Sequence, residues 1–320
     1  MSGPTATPLL LLALRPNSET DRERLGKGLR QLIAEDPTLS VKADQAGGIT
    51  IGALDELQLE SIVDRLKREF RVEATLGKPQ VAYREALTQV ADGDGRYARH
   101  SAGRGQYGHV RIRVSPGERG TGYVFESALS GDEIPDRFIE SVRLGIQEAS
   151  TRGGPAGYPI RDVRIELYDG SYHETASNDA AFKIAGAMAF REAAEKAGTV
   201  LLEPVMIVAV VVPKEHAADV IEDLSGRRGQ IQSHDDDADV RVVRALVPLS
   251  EMFGYAAALR ERTRGRGTYS IQLDSYREVP IDPRDGERRN SPVGAPLKPV
   301  PGLKSASVAL PEPDDDVGES

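Results

Sequence analysis

At 320 residues, 39% of them apolar, the chain is long enough for two or three domains of ordinary globular composition. Its formal charge of −9 excludes a uniformly basic nucleic-acid coat, so any RNA contact has to come from local arginine clusters. The absence of cysteine removes disulfides and thiolate metal sites and points to a reducing cytoplasm.

Near the start, Leu9–Leu14 is the only dense apolar run. It is far shorter than the roughly 20 residues a membrane span needs. No basic residue precedes it and no small-residue cleavage site follows, so a buried strand is expected and no membrane or signal segment. Ser18 caps a helix whose Leu25, Leu29, Leu32 and Ile33 share one face. Val41–Asp44 and Ile49–Ala53 flank Gln45-Ala-Gly-Gly48, a hairpin signal. Asp55 with Gln58 three residues on resembles a capping box. Leu59, Ile62, Val63, Leu66 and Phe70 then form a helical face, and Val72–Leu76 closes the unit. Strand, helix, strand, strand, helix, strand is the ferredoxin-like order.

Residues 205–279 repeat it. Val205–Val212 reads as a buried strand and His216–Ser225 as a helix. Gln230–Ser233 and Val240–Val247 form a hairpin around His234–Asp239. Ser250 is expected to cap a helix through Leu259, and Tyr269–Val279 is the last strand. Between the two units lies a mixed one at about 79–204. Its centre is a polar loop, Tyr168–Asp179, held between the alternating strand Val163, Ile165, Leu167 and a helix over Ala180–Ala197 that ends at Gly198. Ser177, Asn178 and Asp179 are candidate N-caps for that helix. After Pro280 the pattern changes: seven of the twenty prolines fall in residues 281–320, with several acids and no apolar periodicity. Such a segment is expected to be a disordered tail.

Four motifs carry candidate chemistry. Gly103–Gly108 is a literal G-x-G-x-x-G, but the alternation of Val110, Ile112 and Val114 with Arg111 and Arg113 puts a strand after it. A dinucleotide fingerprint needs a helix there. What is left is a flexible loop carrying Arg104 that could meet RNA phosphates, or a glycine-rich hairpin with a solvated edge. Asp169, Ser171 and His173 have the composition of a hydrolase triad, yet three residues within five positions of one loop do not converge from different elements, and no G-x-S-x-G elbow is present. No catalytic residue is expected. His234 with Asp235, Asp236, Asp237 and Asp239 does not follow calcium-loop spacing and reads as a solvated hairpin tip, not a metal site. Arg227 and Arg228 after Gly226, and Arg260 to Arg266 near a helix end, are arginine clusters or partners of helix dipoles.

Several longer runs resemble one family in collinear order. Tyr168-Asp-Gly-Ser-Tyr-His-Glu174 followed by Ala181–Ala193 is similar to the fourth domain of bacterial elongation factor G, the translocase of the ribosome, and Ser101–Val110 resembles another hallmark run of that family. Ile62–Phe70 and Gly77–Glu85 also match. Asp223–Gly229 and Pro248–Ala256 resemble runs of its fifth domain, which packs against large-subunit RNA. The resemblance covers roughly residues 8–280, in the family's order of third, fourth and fifth domains. It departs at Gly52–Glu60, where Ala53 and Asp55 stand in place of glycines and Gln58 in place of a histidine, on a surface that faces the GTPase domain in the family. At the tip, Thr175–Asp179 replaces the usual Val-Asp-Ser-Ser-Glu.

The resemblance implies an α+β chain: two ferredoxin-like βαββαβ domains (1–78 and 205–280) flanking a ribosomal-protein-S5-like α/β domain (79–204), with the acidic, proline-rich tail at 281–320. It implies a ribosome-binding protein of translation whose tip loop reaches the A-site region of messenger and transfer RNA. The residues it points to are Arg104, Gln106, Tyr107, Asp169, Ser171, Tyr172, His173 and Glu174, with Arg227 and Arg228 towards ribosomal RNA. No G-x-x-x-x-G-K-[ST] occurs in these residues, so no cofactor is expected here; GTP belongs to the family's N-terminal GTPase domain, which would act in trans. The other reading from the residues is an interaction protein that uses its exposed sheet faces or acidic tail and no longer touches the ribosome.

Overall fold

The computed structural model describes residues 8–280 apart from 44–47, 102–103, 131–132 and 238. The tail expected at 281–320 lies outside the described residues. The chain forms two compact units, one ending at Gln80 and the other beginning at Val81.

In the first unit, β1 (Leu10–Pro16), α1 (Glu19–Glu35), β2 (Ser40–Ala43), β3 (Ile49–Ala53), α2 (Glu56–Arg68) and β4 (Ala74–Leu76) build an antiparallel sheet in the order β2-β3-β1-β4. Leu10, Leu12 and Leu14 alternate inward from β1 and are buried with Leu25, Leu29 and Leu32 of α1 and Leu59, Ile62 and Leu66 of α2. Both expected caps form: Ser18 Oγ accepts from the Asp21 amide at 3.1 Å, and Asp55 accepts from the Gln58 amide at 2.8 Å. Gln58 returns the bond to the Leu54 amide at 2.7 Å, and its side-chain amide donates to Asp36 and Thr38. Ala53 is fully buried. The three departures at 53, 55 and 58 thus each have a partner inside their own unit.

The boundary falls within the short β5 (Gln80–Val81), and the first sheet of the second unit holds β7 (Ala91–Ser101), β8 (Arg104–Pro116), β9 (Tyr123–Ser127) and β10 (Val163–Ser171) in the order β7-β8-β10-β9. Only β9 runs parallel to its neighbour. Helices α3 (Ile139–Arg152) and α4 (Asp179–Ala197) cover one face, and the other is open. The core between them is Val110, Ile112 and Val114 of β8, Val163, Ile165 and Leu167 of β10, and Phe138, Val142, Ile146, Phe182, Ala185 and Phe190 from the helical side. The contact of α4 with the sheet is close because neither side carries bulk. A Cβ on Gly93 would lie 2.1 Å from the Ala189 carbonyl oxygen, and one on Gly95 2.0 Å from that of Ala185. Glycines of β7 therefore meet a row of alanines four residues apart on α4.

The second sheet has the order β12-β13-β11-β14, from β11 (Thr199–Pro213), β12 (Gln230–Asp237), β13 (Val240–Pro248) and β14 (Thr268–Glu278), with α5 (Ala217–Gly226) and α6 (Tyr255–Arg262). The first residues of β11, 199–202, pair with β6 (Arg84–Leu87), and 202–211 pair with β14. One strand thus runs through residue 204. Two local expectations are corrected, and the choice between loop and hairpin at 103–108 is decided for the hairpin. His234 to Asp237 continue β12, because their register against Val240–Val243 extends the ladder further than the aspartates suggest. Ser250 sits in a 3-10 turn (Leu249–Glu251), and α6 starts only after Gly254, whose φ of 70° breaks the helix. The glycine-rich run at 103–108 is strand from Arg104 onward, paired residue for residue with β7.

Candidate functional site

The far end of the open sheet face is the place where the polar residues of the central domain gather. On β8, Gly108, Val110, Ile112 and Val114 turn to the helices, so Tyr107, His109, Arg111 and Arg113 share the open face. On β10 the alternation starts with Val163, Ile165 and Leu167 inward, which would send Asp169 and Ser171 inward too. A bulge between Leu167 and Asp169 prevents that. Tyr168 and Asp169 both face outward, Gly170 takes the inward position against Ile134, and Ser171 emerges beside His109.

There the side chains form a connected chain across three strands. Tyr107 Oη lies 2.8 Å from Ser171 Oγ, Ser171 Oγ 3.0 Å from His109 Nδ1, and His109 Nε2 3.0 Å from an oxygen of Asp94 on β7. Arg111 donates to Asp169 at 3.2 Å and pairs with Asp94 at 3.3 Å. The hydrogen bond from Arg111, with a second from the Gly170 amide, holds the Asp169 carboxyl below the usual carboxylate range. Further down the face, Arg113 lies between Asp92 at 3.0 Å and Glu166 at 3.5 Å and stacks over the Tyr168 ring. Burial pushes the Tyr168 hydroxyl up. Each of these arginines is therefore already matched by two carboxylates.

Above this base stands the loop between β10 and α4. Tyr172, His173, Glu174 and Thr175 are exposed, with Tyr172 at 43%. The loop closes on itself: the His173 amide donates to Ser177 Oγ at 2.9 Å, and the Ser177 amide to the His173 carbonyl at 3.0 Å. Its return is tied to β8, where the Tyr107 amide donates to the Ala176 carbonyl at 2.9 Å. Asn178 caps α4, accepting from the Ala181 amide at 2.9 Å. A rigid base therefore presents an aromatic ring, an imidazole and a carboxylate to solvent.

Of the sequence candidates, Tyr107, Asp169, Ser171, Tyr172, His173 and Glu174 come together here. Gln106 accepts from Tyr97 Oη at 3.4 Å on the helical side of the same hairpin. Arg104 opens β8 opposite Ser101; its side chain lies outside the described set. Arg227 and Arg228 do not join this group. Arg227 pairs with Asp223 at 3.0 Å and donates to the Glu251 carbonyl at 2.6 Å, while Arg228 donates to the buried Glu203 at 3.2 Å. Both hold the turn after α5 to its own domain. Asp94 and His109 join the group from outside the sequence candidates, and Arg111 reads in the sequence only as part of an arginine-bearing strand. The outward alternation along β8 was the available signal for His109 and Arg111; only the hairpin register brings in Asp94.

Comparison with known proteins finds one family along the chain. Family models match elongation factor G domain III over residues 5–78, elongation factor G domain IV over 79–198 and the elongation factor G C-terminus over 200–286. Among solved structures, the crystal structure of a protein from Thermus thermophilus is similar at 38% identity and a TM-score of 0.70, over 87% of this chain and 42% of that one. The chain spans less than half the length of that relative.

Proposed function

Because this chain belongs to the elongation factor G family through three consecutive domains, we propose that it is a ribosome-binding protein of translation that places its 169–179 loop near the A site. The observation that supports this most is the loop itself: Tyr172 and His173 are exposed on a tip whose two ends are both held to Tyr107. An exposed aromatic and an imidazole can stack on and hydrogen-bond to unpaired bases without neutralising phosphate. That suits a chain of net charge −9. Under this reading residues 8–280 hydrolyse no nucleotide by themselves.

A specific observation favours a second reading. Arg111 and Arg113 are each flanked by two carboxylates, so the open face of the sheet has no spare cation for a phosphate backbone at these two positions. Such a face fits a protein partner better than RNA, as an interaction module that no longer touches the ribosome.

Co-sedimentation of the purified chain with bacterial ribosomes across a salt series separates the two. Binding that persists along the series and falls several-fold with His173→Ala or Tyr172→Ala supports the A-site reading. A folded chain that does not pellet at low salt sinks it.

A further inference from the structure

We infer that Tyr107, Ser171, His109 and Asp94 form a directional clasp across the base of the tip loop, in which His109 is the positioning residue and decides where the Tyr107 hydroxyl donates. This rests on the tip being the functional end of the molecule, and it adds a device that regulates it.

The direction follows from what each group can donate. An ionised carboxylate only accepts, so the contact of 3.0 Å with Asp94 requires a proton on His109 Nε2. In the neutral imidazole Nδ1 is then an acceptor, which obliges Ser171 to donate to it across 3.0 Å. Ser171 Oγ has its lone pairs left for Tyr107, whose hydroxyl donates across 2.8 Å. The hydroxyl of Tyr107 is thus spent inside the molecule. The backbone of the same residue holds the far end of the loop through the Ala176 carbonyl. Residues 172–175 stand between two attachments to one tyrosine.

A second proton on the imidazole removes the acceptor that fixes this direction. Nδ1–H then donates to Ser171 Oγ, and the Ser171 proton, no longer held by Nδ1, is available to Tyr107 Oη. In that reversed arrangement the Tyr107 proton points away from the clasp, as a free donor beside the exposed tip. The charged groups facing His109 come from every strand around it. Strand β7 supplies Asp94 and Arg96, the latter 5.8 Å over the Tyr107 ring; β10 supplies Asp169, and β8 itself Arg111.

Nitrogen-15 spectra of the full chain test the direction, recorded across roughly pH 5 to 8, where imidazoles as a class change charge. The expected result is an Nε2–H tautomer for His109 at the upper end. An Nδ1–H tautomer there overturns the clasp. Amide exchange in the free protein tests its purpose. Ser171→Ala removes both hydroxyl contacts without adding bulk. It should raise exchange at Tyr107 and Ser177 about three- to tenfold, the scale of one hydrogen bond. Tyr107→Phe should do the same, and the double variant should add little to the larger single effect. In the intact chain these two amides should also change with the His109 titration after correction for intrinsic exchange, and Tyr107→Phe should remove that change. Unaltered exchange in both single variants, with core protection intact, overturns the inference. Because all of this is read without ribosomes, a chain that fails to pellet with them refutes the proposed function and leaves the clasp standing.

Discussion

Asp169 shows how one side chain can belong to a network that its sequence neighbours do not reveal. It has the composition of a triad member with Ser171 and His173, but its carboxylate is turned to Arg111 at 3.2 Å, while Ser171 is turned to His109. Its pKa is depressed chiefly by that arginine, so the sign is fixed: the contact contributes above the unfolded-state value and is lost as pH falls through the folded one. With the side chain 41% exposed, solvent screens the pair and its worth to the fold is small. Arg111→Ala is therefore expected to move the Asp169 titration up towards the ordinary carboxylate range, read by carbon-13 NMR. Thermal stability at neutral pH should stay nearly the same. An Asp169 titration that stays put would show that the Gly170 amide, not the arginine, holds it. At this scale the residue types at the tip were legible in the sequence, since polar and aromatic side chains stand out in an exposed loop. Their partners were not: the bulge at Tyr168 shifts the strand by one residue and exchanges its faces, and no periodicity in Val163–Leu167 announces it.

The element that places the tip is α4, and its sequence reads as ambiguous until the sheet beneath it is seen. Ala181, Ala185, Ala189 and Ala193 would suit a solvated helix as well as a buried one. All four are fully buried here, because Gly93 and Gly95 of β7 and Gly108 of β8 let the backbones approach. Gly95→Ala would put a methyl group 2.0 Å from the Ala185 carbonyl, and overpacking of that kind costs about 1–3 kcal/mol. A lowered urea midpoint is expected, with α4 displaced and the tip loop exchanging faster. Gly226 at the end of α5 is the control: a Cβ placed there would meet nothing within 4 Å, and its φ is not in the left-handed range, so Gly226→Ala should change stability by no more than a few tenths of a kcal/mol, roughly, in either direction. Equal effects at the two sites would refute the close-approach account. The caps at Ser18 and Asp55 were readable from sequence, and that of α4 was narrowed to Ser177, Asn178 or Asp179, because a cap is a local hydrogen bond between near neighbours. The start of α6 was not, because a serine in a turn looks the same as one at a cap.

Across the second unit, β11 is shared property. Its first residues pair with β6 beside the central domain, and the rest pair with β13 and β14. Buried Glu85 reinforces the join by accepting from the amides of Ala156 and Tyr158, and Tyr276 of β14 donates to the Ala82 carbonyl at 3.2 Å. Residues 81–280 are expected to unfold as one cooperative step. Exchange protection in β10 and in β13 should then vanish at the same denaturant concentration; two separated midpoints would refute the shared strand as a coupling element. The amino-acid sequence by itself determined the family, the order of the elements and the residue types at the tip. These depend on local hydrophobic periods, capping residues and long collinear runs, each of which acts between neighbours in the chain. Only the tertiary structure decided which charges are spent within the fold, which strand pairs with both β6 and β14, and which partners Ser171 faces. Those outcomes depend on strand register and on backbone approach between residues far apart in sequence, where a single bulge or a missing Cβ changes what touches what.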